Sequence, residues 1–343
     1  MDINEKVNLI SRNIEEILGA EELRNILEKR NLRIYWGTAT TGKPHIAYIL
    51  PLLKIRDFVL AGCEVTILLA DIHAMLDNLK APLSLINQRS VYYELLIKTI
   101  LQELKVDLKL IKFVKGSSFQ ISPEYTMDLF KLSTVVSEHD SKKAGSEVVK
   151  QVKNTKLSSM IYPLMQALDE EYLNCDAQFG GKDQRKIFTF AMKYLPQLQY
   201  KKRIHLMNPM IEGLNNEKMS SSDLFSKIEY TESKEEIFKK IKKCFCEEKS
   251  TKGGLFQIIK YVILPILKIK GVEMEIKTLD NSTFIINNYD LLEKEFLAGN
   301  VHPGDLKMAV SNYLELIIQP IRDVIKNNEH IVREAYPNEK NIF

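Results

Sequence analysis

Cysteine is scarce in this chain of 343 residues: Cys63, Cys175, Cys244 and Cys246 are all there is, and only the last two lie close, as a C-x-C with no second pair of metal ligands nearby. A disulfide framework is excluded, free thiols are expected, and no resident metal is expected. An imbalance of charge is also missing. Forty-eight Lys+Arg against 45 Asp+Glu leave a net charge of +3, too little for a protein that grips DNA non-specifically, although local basic stretches could hold phosphates. No uncharged apolar run approaches the roughly 20 residues that a membrane helix needs, and the opening MDINEKVNLI lacks the basic and apolar regions of a secretory signal. A soluble intracellular protein without a membrane partner is expected. With 14 glycines and 11 prolines, collagenous and low-complexity architectures are excluded too. What is present is 45% hydrophobic and 27% charged, an ordinary folded chain long enough for two domains.

Short apolar runs at 32–37 and 65–70 read as buried strands, with 46–60 crossing back between them as a helix and a second helix over 84–104. Further strands are expected at 111–114, 175–179 and 203–206. Strand alternating with helix predicts an α/β fold, a doubly wound parallel sheet covered by helices on both faces. After about residue 230 the texture changes: Ser233 to Glu236 fits a capping box, a Lys-rich helix follows, and 306–317 repeats apolar positions at helical spacing. The expected division is 1–230 for the α/β domain and 231–343 for a mostly helical one.

The first candidate site follows the first strand, as Gly37-Thr-Ala-Thr-Thr-Gly42-Lys43-Pro44-His45. It nearly spells a P-loop, but that loop needs Ser or Thr after the lysine to reach Mg²⁺, and Pro44 has neither hydroxyl nor N–H. A P-loop NTPase therefore stands as an alternative, with Asp71 imitating its acidic strand end. Read instead as T-G-K-P-H-I-A-Y, the segment is a strand-to-helix turn where phosphate is attracted and where His45 can donate to a phosphate oxygen as charge builds up. Taken alone, a histidine such as His45 is more often a satisfied structural one. Lys218-Met219-Ser220-Ser221-Ser222 is the second signal, in an expected loop.

Together, a histidine after the first strand and K-M-S-x-S at the end of the nucleotide domain resemble the signature pair of class I aminoacyl-tRNA synthetases. The likeness runs almost the whole chain, strongest at YWGTATTGKPHIAY, HDSKKAG, YPLMQALDEEY, GGKDQRKIF, HLMNPM and KMSSS, and within the class it is to the tyrosyl-tRNA synthetases of archaea and of the eukaryotic cytoplasm. The resemblance implies a Rossmann-like catalytic domain with an inserted segment for the acceptor stem and the dimer, then an anticodon-binding domain. It implies tyrosine held by Tyr35 and Asp169 at the phenol hydroxyl and by Tyr162, Gln166 and Gln184 around the ammonium group. It implies ATP bound by Gly37, Thr40, His45, Tyr48 and residues Lys218, Met219, Ser220, Ser221 and Ser222, with His45 and Lys218 as the catalytic, phosphate-facing donors. Arg185 corresponds to a contact with the acceptor stem, and His302, Pro303 and Asp305 to the anticodon contact.

Physical reasoning bears on several of these. Gln166 and Asp169 sit three apart on a helix expected to begin at Pro163, so both face one way. A phenylalanine in such a site would leave the buried carboxylate and phenol unpaired, which is costly. Asp305 can equally be the N-cap of the helix it precedes. Relative to the general class pattern, Ala47-Tyr48 replaces Gly-His and Ser221 stands where a second lysine often does, so a bound K⁺ near Ser221 and Ser222 is expected to supply the missing charge. The family further implies Mg²⁺ with ATP, L-tyrosine and tRNA(Tyr) as partners, a homodimer, and a cytoplasmic location. Tryptophan is the second choice of amino acid, and a non-catalytic RNA-binding factor on the same scaffold is the alternative of another class.

Overall fold

The computed structural model describes residues 1–77, 81–149, 155–215, 226–279 and 282–339. Six strands form one sheet: β1 (Glu16–Leu18), β2 (Arg33–Thr38), β3 (Glu64–Leu69), β4 (Ile111–Lys115), β5 (Ala177–Gly181) and β6 (Ile204–Asn208), in the order β1-β6-β5-β2-β3-β4. The pairs β2–β3, β3–β4, β2–β5 and β5–β6 are parallel. This is the expected Rossmann-like α/β sheet, and its apolar strands are apolar because both faces are covered. On one face, the Ile49–Leu60 helix buries Leu52, Ile55 and Phe58, and Phe58 meets Phe179 of β5 edge-on at 5.1 Å. The Ile86–Glu103 helix buries Tyr92, Tyr93, Leu96 and Ile97.

The chain runs from β2 outward to β3 and β4, then returns to build β5 and β6 on the other side. The order therefore reverses between β2 and β5, and ligands of open α/β sheets sit outside the carboxyl ends of the strands at such a point. The Leu157–Tyr172 helix lies over this end. It contains Pro163 and begins six residues before it, which corrects the expected start. A proline inside a helix removes one backbone hydrogen bond and crowds the preceding turn, together costing about 3 kcal/mol, but burial of Tyr162, Leu164, Met165 and Leu168 on both sides of it holds the helix through.

Beyond residue 230 the elements are mainly helical. Ser233 and Glu236 form the expected capping box of the Lys234–Lys243 helix. The apolar repeat belongs to the Pro303–Asn327 helix, which buries Leu306, Val310, Leu314, Ile317, Ile318 and Ile321. A two-stranded hairpin of β7 (Met274–Lys277) and β8 (Thr283–Ile286) was not expected. Buried apolar side chains from both parts make one contiguous cluster, from Ile10 through the sheet to Val332 and Tyr336. All four cysteines are free thiols. No helix among the described residues is long and apolar enough to cross a membrane.

Candidate active site

A cavity of about 240 Å³ opens at the carboxyl ends of β2 and β5, and Tyr35, Tyr162, Gln166, Asp169 and Gln184 all line it. β2 supplies Tyr35, 1% exposed, whose hydroxyl donates to the Gln166 carbonyl at 3.4 Å. The helical periodicity of Leu157–Tyr172 supplies Tyr162, Gln166 and Asp169, and the Gln166 amide donates to Gln184 Oε1 at 3.0 Å. Asp169 is fully buried. Its Oδ1 accepts from Gln120 Nε2 at 2.8 Å and from Tyr125 OH at 2.9 Å, while Oδ2 has no hydrogen-bond partner. Burial pushes its carboxyl up to about 7, against the pull of those two donors.

Asp169 Oδ2 faces His73 Nε2 at 3.8 Å, and that nitrogen too lacks a partner. Burial lowers His73 to about 4, so the imidazole is neutral at pH 7 and the contact is not an ion pair. Its ring meets that of Tyr162 edge-on at 4.6 Å. His73, Gln120 and Tyr125 were not found in the sequence. His73 lies just beyond the end of β3, a position at the carboxyl edge that could have flagged it. Gln120 and Tyr125 come from the turn and helix after β4 and carry no local signal.

A second cavity of about 230 Å³ is lined by Trp36, His45, Tyr48, Gly181, Asp183 and Met210 among others, and Tyr48 belongs to both hollows. The two sites thus adjoin across one ring, whose hydroxyl hydrogen-bonds Thr38 Oγ1 at 3.1 Å. At Gly181 a Cβ would sit 2.6 Å from Asp183 Oδ1 and 3.2 Å from Met210 Sδ, so a larger residue there would displace the ends of those two side chains. His45 meets Tyr48 edge-on at 5.8 Å, and its Nδ1 is buried without a partner. Burial first, and the charge of Lys227 second, lower it to about 4; it acts as a neutral imidazole at pH 7.

Gly37 lines the first cavity, but Thr40 is brought to neither. Its side chain is fully buried with its hydroxyl 3.5 Å from that of Ser90, because the turn directs Thr41 outward instead. The P-loop alternative fails on its lysine: Lys43 is buried and paired with Glu229 and Glu339. Asp71, the supposed acidic strand end, accepts from the Ser117 N–H at 2.8 Å. Lys218, Met219, Ser220, Ser221 and Ser222 lie outside the described residues.

Arg185 opens the helix after Gln184, and its guanidinium holds Glu16 of β1 at 2.9 Å. His302, Pro303 and Asp305 are not at the cavities but at the start of the Pro303–Asn327 helix. There the cap is His302, whose Nδ1 accepts from the Gly304 N–H at 3.0 Å. Asp305 sits three residues inside and is half-buried, so its expected capping role falls to His302, which precedes the proline at the first helical position. The basic runs are partly spent internally: Arg203 pairs with Glu171, and Lys240 with Glu232 at 2.5 Å. Among the described residues no group of three or more His, Cys, Asp or Glu could hold a metal ion.

Residues 27–319 match the family model of tRNA synthetases class I (W and Y). A probable cytoplasmic tyrosine–tRNA ligase of Encephalitozoon cuniculi is 55% identical over 336 residues, 98% of this chain and 100% of the relative. The cytoplasmic tyrosine–tRNA ligase of Gallus gallus is 52% identical over 337 residues, and the match covers 97% of this chain and 64% of that longer relative. In three dimensions, the tyrosyl-tRNA synthetase of Archaeoglobus fulgidus, crystallised with L-tyrosine, superposes with a TM-score of 0.86 at 34% identity, covering 94% of this chain and 100% of that one. A tryptophanyl-tRNA synthetase of Aeropyrum pernix K1 superposes at 0.69 with 15% identity, a likeness of fold alone.

Proposed function

Since this chain belongs to the class I tRNA synthetases of the tryptophan and tyrosine group, we propose that it is a tyrosine–tRNA ligase that forms tyrosyl-adenylate from L-tyrosine and ATP and then charges tRNA(Tyr). The observation that carries tyrosine over tryptophan is the buried Asp169, with one oxygen engaged and the other bare, in the same cavity as the Tyr35 hydroxyl. A phenol can donate to that oxygen and accept from Tyr35. An indole N–H can donate but has nothing to accept with.

In the first step a tyrosine carboxylate oxygen attacks the α-phosphorus of Mg²⁺-ATP, and the bond to the bridging oxygen breaks to release pyrophosphate. No protein nucleophile is needed. Tyr162, Gln166 and Gln184 orient the ammonium end, and His45 donates an N–H to phosphate oxygens from the adjoining cavity. Gly37 and Thr41 line the first hollow, and Tyr48 lines both. Lys218 is assigned as the second donor on its place in the motif, and K⁺ as a supporting charge near Ser221 and Ser222; these residues fall outside those the structure describes. In the second step the terminal ribose hydroxyl of tRNA attacks the acyl carbon and AMP leaves. Arg185 is assigned to the acceptor stem, Asp305 with His302 and Pro303 to the anticodon, and 231–343 to the anticodon-binding part. A cytoplasmic location is assigned from the relatives' names.

A homodimer is supported by the Pro123–Val135 helix, which leaves Met127, Phe130 and Val135 exposed beside the exposed Ile121. Such a cluster of large apolar side chains marks an interface. Glutamate at Phe130 is expected to give the mass of a single chain by light scattering and to abolish tRNA charging. A dimer of unchanged stability would remove this face from the interface. For the function itself, exchange of labelled pyrophosphate into ATP is expected with tyrosine and not with phenylalanine or tryptophan. Exchange with tryptophan alone would overturn the choice of amino acid, and absence of exchange from folded protein would overturn the activity.

A further inference from the structure

The turn that carries His45 is held from behind by the far end of the chain. Its Lys43 ammonium, 4% exposed, lies 3.4 Å from Glu229 Oε2 and also pairs with Glu339. Lys227, 2% exposed, holds the other oxygen of Glu229 at 2.6 Å. Glu229 thus sits between two buried ammonium groups, and Lys43 has a further carboxylate that arrives from residue 339. Although burial pushes the Glu229 carboxyl up, the two lysines hold it below its usual range. The carbonyl of Thr41 accepts from Arg89 Nη1 at 2.6 Å and from the Tyr336 hydroxyl at 3.4 Å. Arg89 in turn lies over the Tyr336 ring at 4.8 Å and donates to the Ala335 carbonyl at 3.3 Å. On the side facing the reaction, His45 forms an antiparallel bridge with Glu229, and the Ile46 N–H donates to the Ile228 carbonyl at 2.9 Å.

We propose that Tyr336 and Glu339 are positioning residues for adenylate formation: through Thr41 and Lys43 they fix the turn that sets the His45 imidazole against the phosphate-side cavity. The argument rests on charge and on distance along the chain. Lys43 is two residues from His45 and cannot stay buried with its charge unless acids accompany it. Glu229 is shared with Lys227, and Glu339 brings Lys43 a second carboxylate. Without it, the turn relaxes toward solvent in the direction that gives Lys43 water, and His45 moves with it. Thr41 borders the tyrosine cavity, but the five side chains expected to hold tyrosine are attached to β2, the Leu157–Tyr172 helix and the turn after β5, none of which the 336–339 segment touches through the contacts above. The effect therefore falls chiefly on the maximal rate, with a small change in tyrosine affinity. Displacement of a reacting group by about an ångström from a distant change can cost up to roughly 100-fold.

The inference rests on the proposed ligase activity, and two readouts separate the failure of one from the failure of the other. In the full-length chain, the double variant Tyr336→Leu/Glu339→Gln is expected to lower kcat for tyrosine-dependent pyrophosphate exchange roughly 10- to 100-fold, with KM for tyrosine within about twofold. Glu339→Gln alone gives a smaller loss, and Glu339→Asp restores most of the rate. Independently of activity, the imidazole C–H resonance of His45, assigned by its absence in His45→Ala, is expected to titrate near pH 4 in the unaltered chain and nearer the ordinary histidine value in the double variant. An unshifted His45 titration with unchanged kcat overturns the proposal. So does a rise in KM for tyrosine that accounts for the whole loss, since that is general loosening. An unaltered chain that exchanges nothing while the His45 titration shifts as stated overturns the ligase reading and leaves the clamp standing.

Discussion

Alanine at position 45 should lower the maximal rate of tyrosine-dependent pyrophosphate exchange roughly 10²–10³-fold, the size of losing one preorganised donor to developing charge, with KM for tyrosine within about twofold. His45 lines the phosphate-side cavity and not the one that holds Tyr35 and Asp169, so its loss leaves the amino acid's own contacts intact. The effect belongs to kcat because His45 faces the phosphate-side cavity, where charge develops during the reaction, and its buried Nδ1 has no hydrogen-bond partner among the described residues. The sign of the pH dependence follows from the same burial. With its pKa lowered to about 4, the imidazole takes up a proton only below that value, so from pH 6 to 9 the rate should carry no limb from this residue. A KM for tyrosine that rises while kcat holds would reassign His45 to ground-state binding.

Five parallel strands were legible because buried parallel strands are written as mainly apolar runs, and 32–37 and 65–70 are of that kind, whereas 203–206 carries Arg203 and His205 among its apolar positions. What escaped were elements without such runs. β1 is three half-buried residues at the sheet edge, antiparallel to β6 with Glu16 opposite Met207. The β7 strand alternates buried Met274 and Ile276 with exposed Glu275 and Lys277, a four-residue pattern too short to stand out from helical neighbours. Pro163 misled for a different reason: a proline at a helix's first turn and one carried through its interior look alike until the packing is known.

The candidate site divides along similar lines. The five side chains expected around tyrosine share one cavity, and a motif carried them there residue by residue. Gln120 and Tyr125, which hold Asp169, and His73, which faces it, reach it from separate elements after β3 and β4. Only the folded sheet brings them together. Thr40 and Thr41 show the limit of reading a turn as letters: neighbours in sequence, one is fully buried beside Ser90 while the other faces the cavity.

Asparagine at position 169 should lower kcat/KM for tyrosine roughly 10- to 100-fold, the loss of a hydrogen bond to a charged acceptor worth about 1.5–3 kcal/mol, and should erase a pH dependence that the unaltered chain shows. In the empty protein, burial raises the carboxyl to about 7, so near neutrality the group is divided between its two forms. Gln120 and Tyr125 both donate to Oδ1, and a substrate hydroxyl donating to the bare Oδ2 would add a third hydrogen bond to the ionised form. Binding therefore pulls the pKa down, and below about pH 7 it must release a proton. Tyrosine affinity should accordingly rise from pH 6 to 8, while that of phenylalanine, with no hydroxyl to donate, should not. Of the two described groups closest to this carboxylate in the cavity, neither titrates in that range: His73 is neutral because burial lowers it to about 4, and burial drives the Tyr35 phenol well above its ordinary value. Equilibrium dialysis of labelled tyrosine and phenylalanine across pH 6–8 reads the difference directly. A slope that persists in Asp169→Asn would place the titrating group elsewhere, and a flat profile in the unaltered chain would mean that Asp169 meets the hydroxyl in a single protonation state.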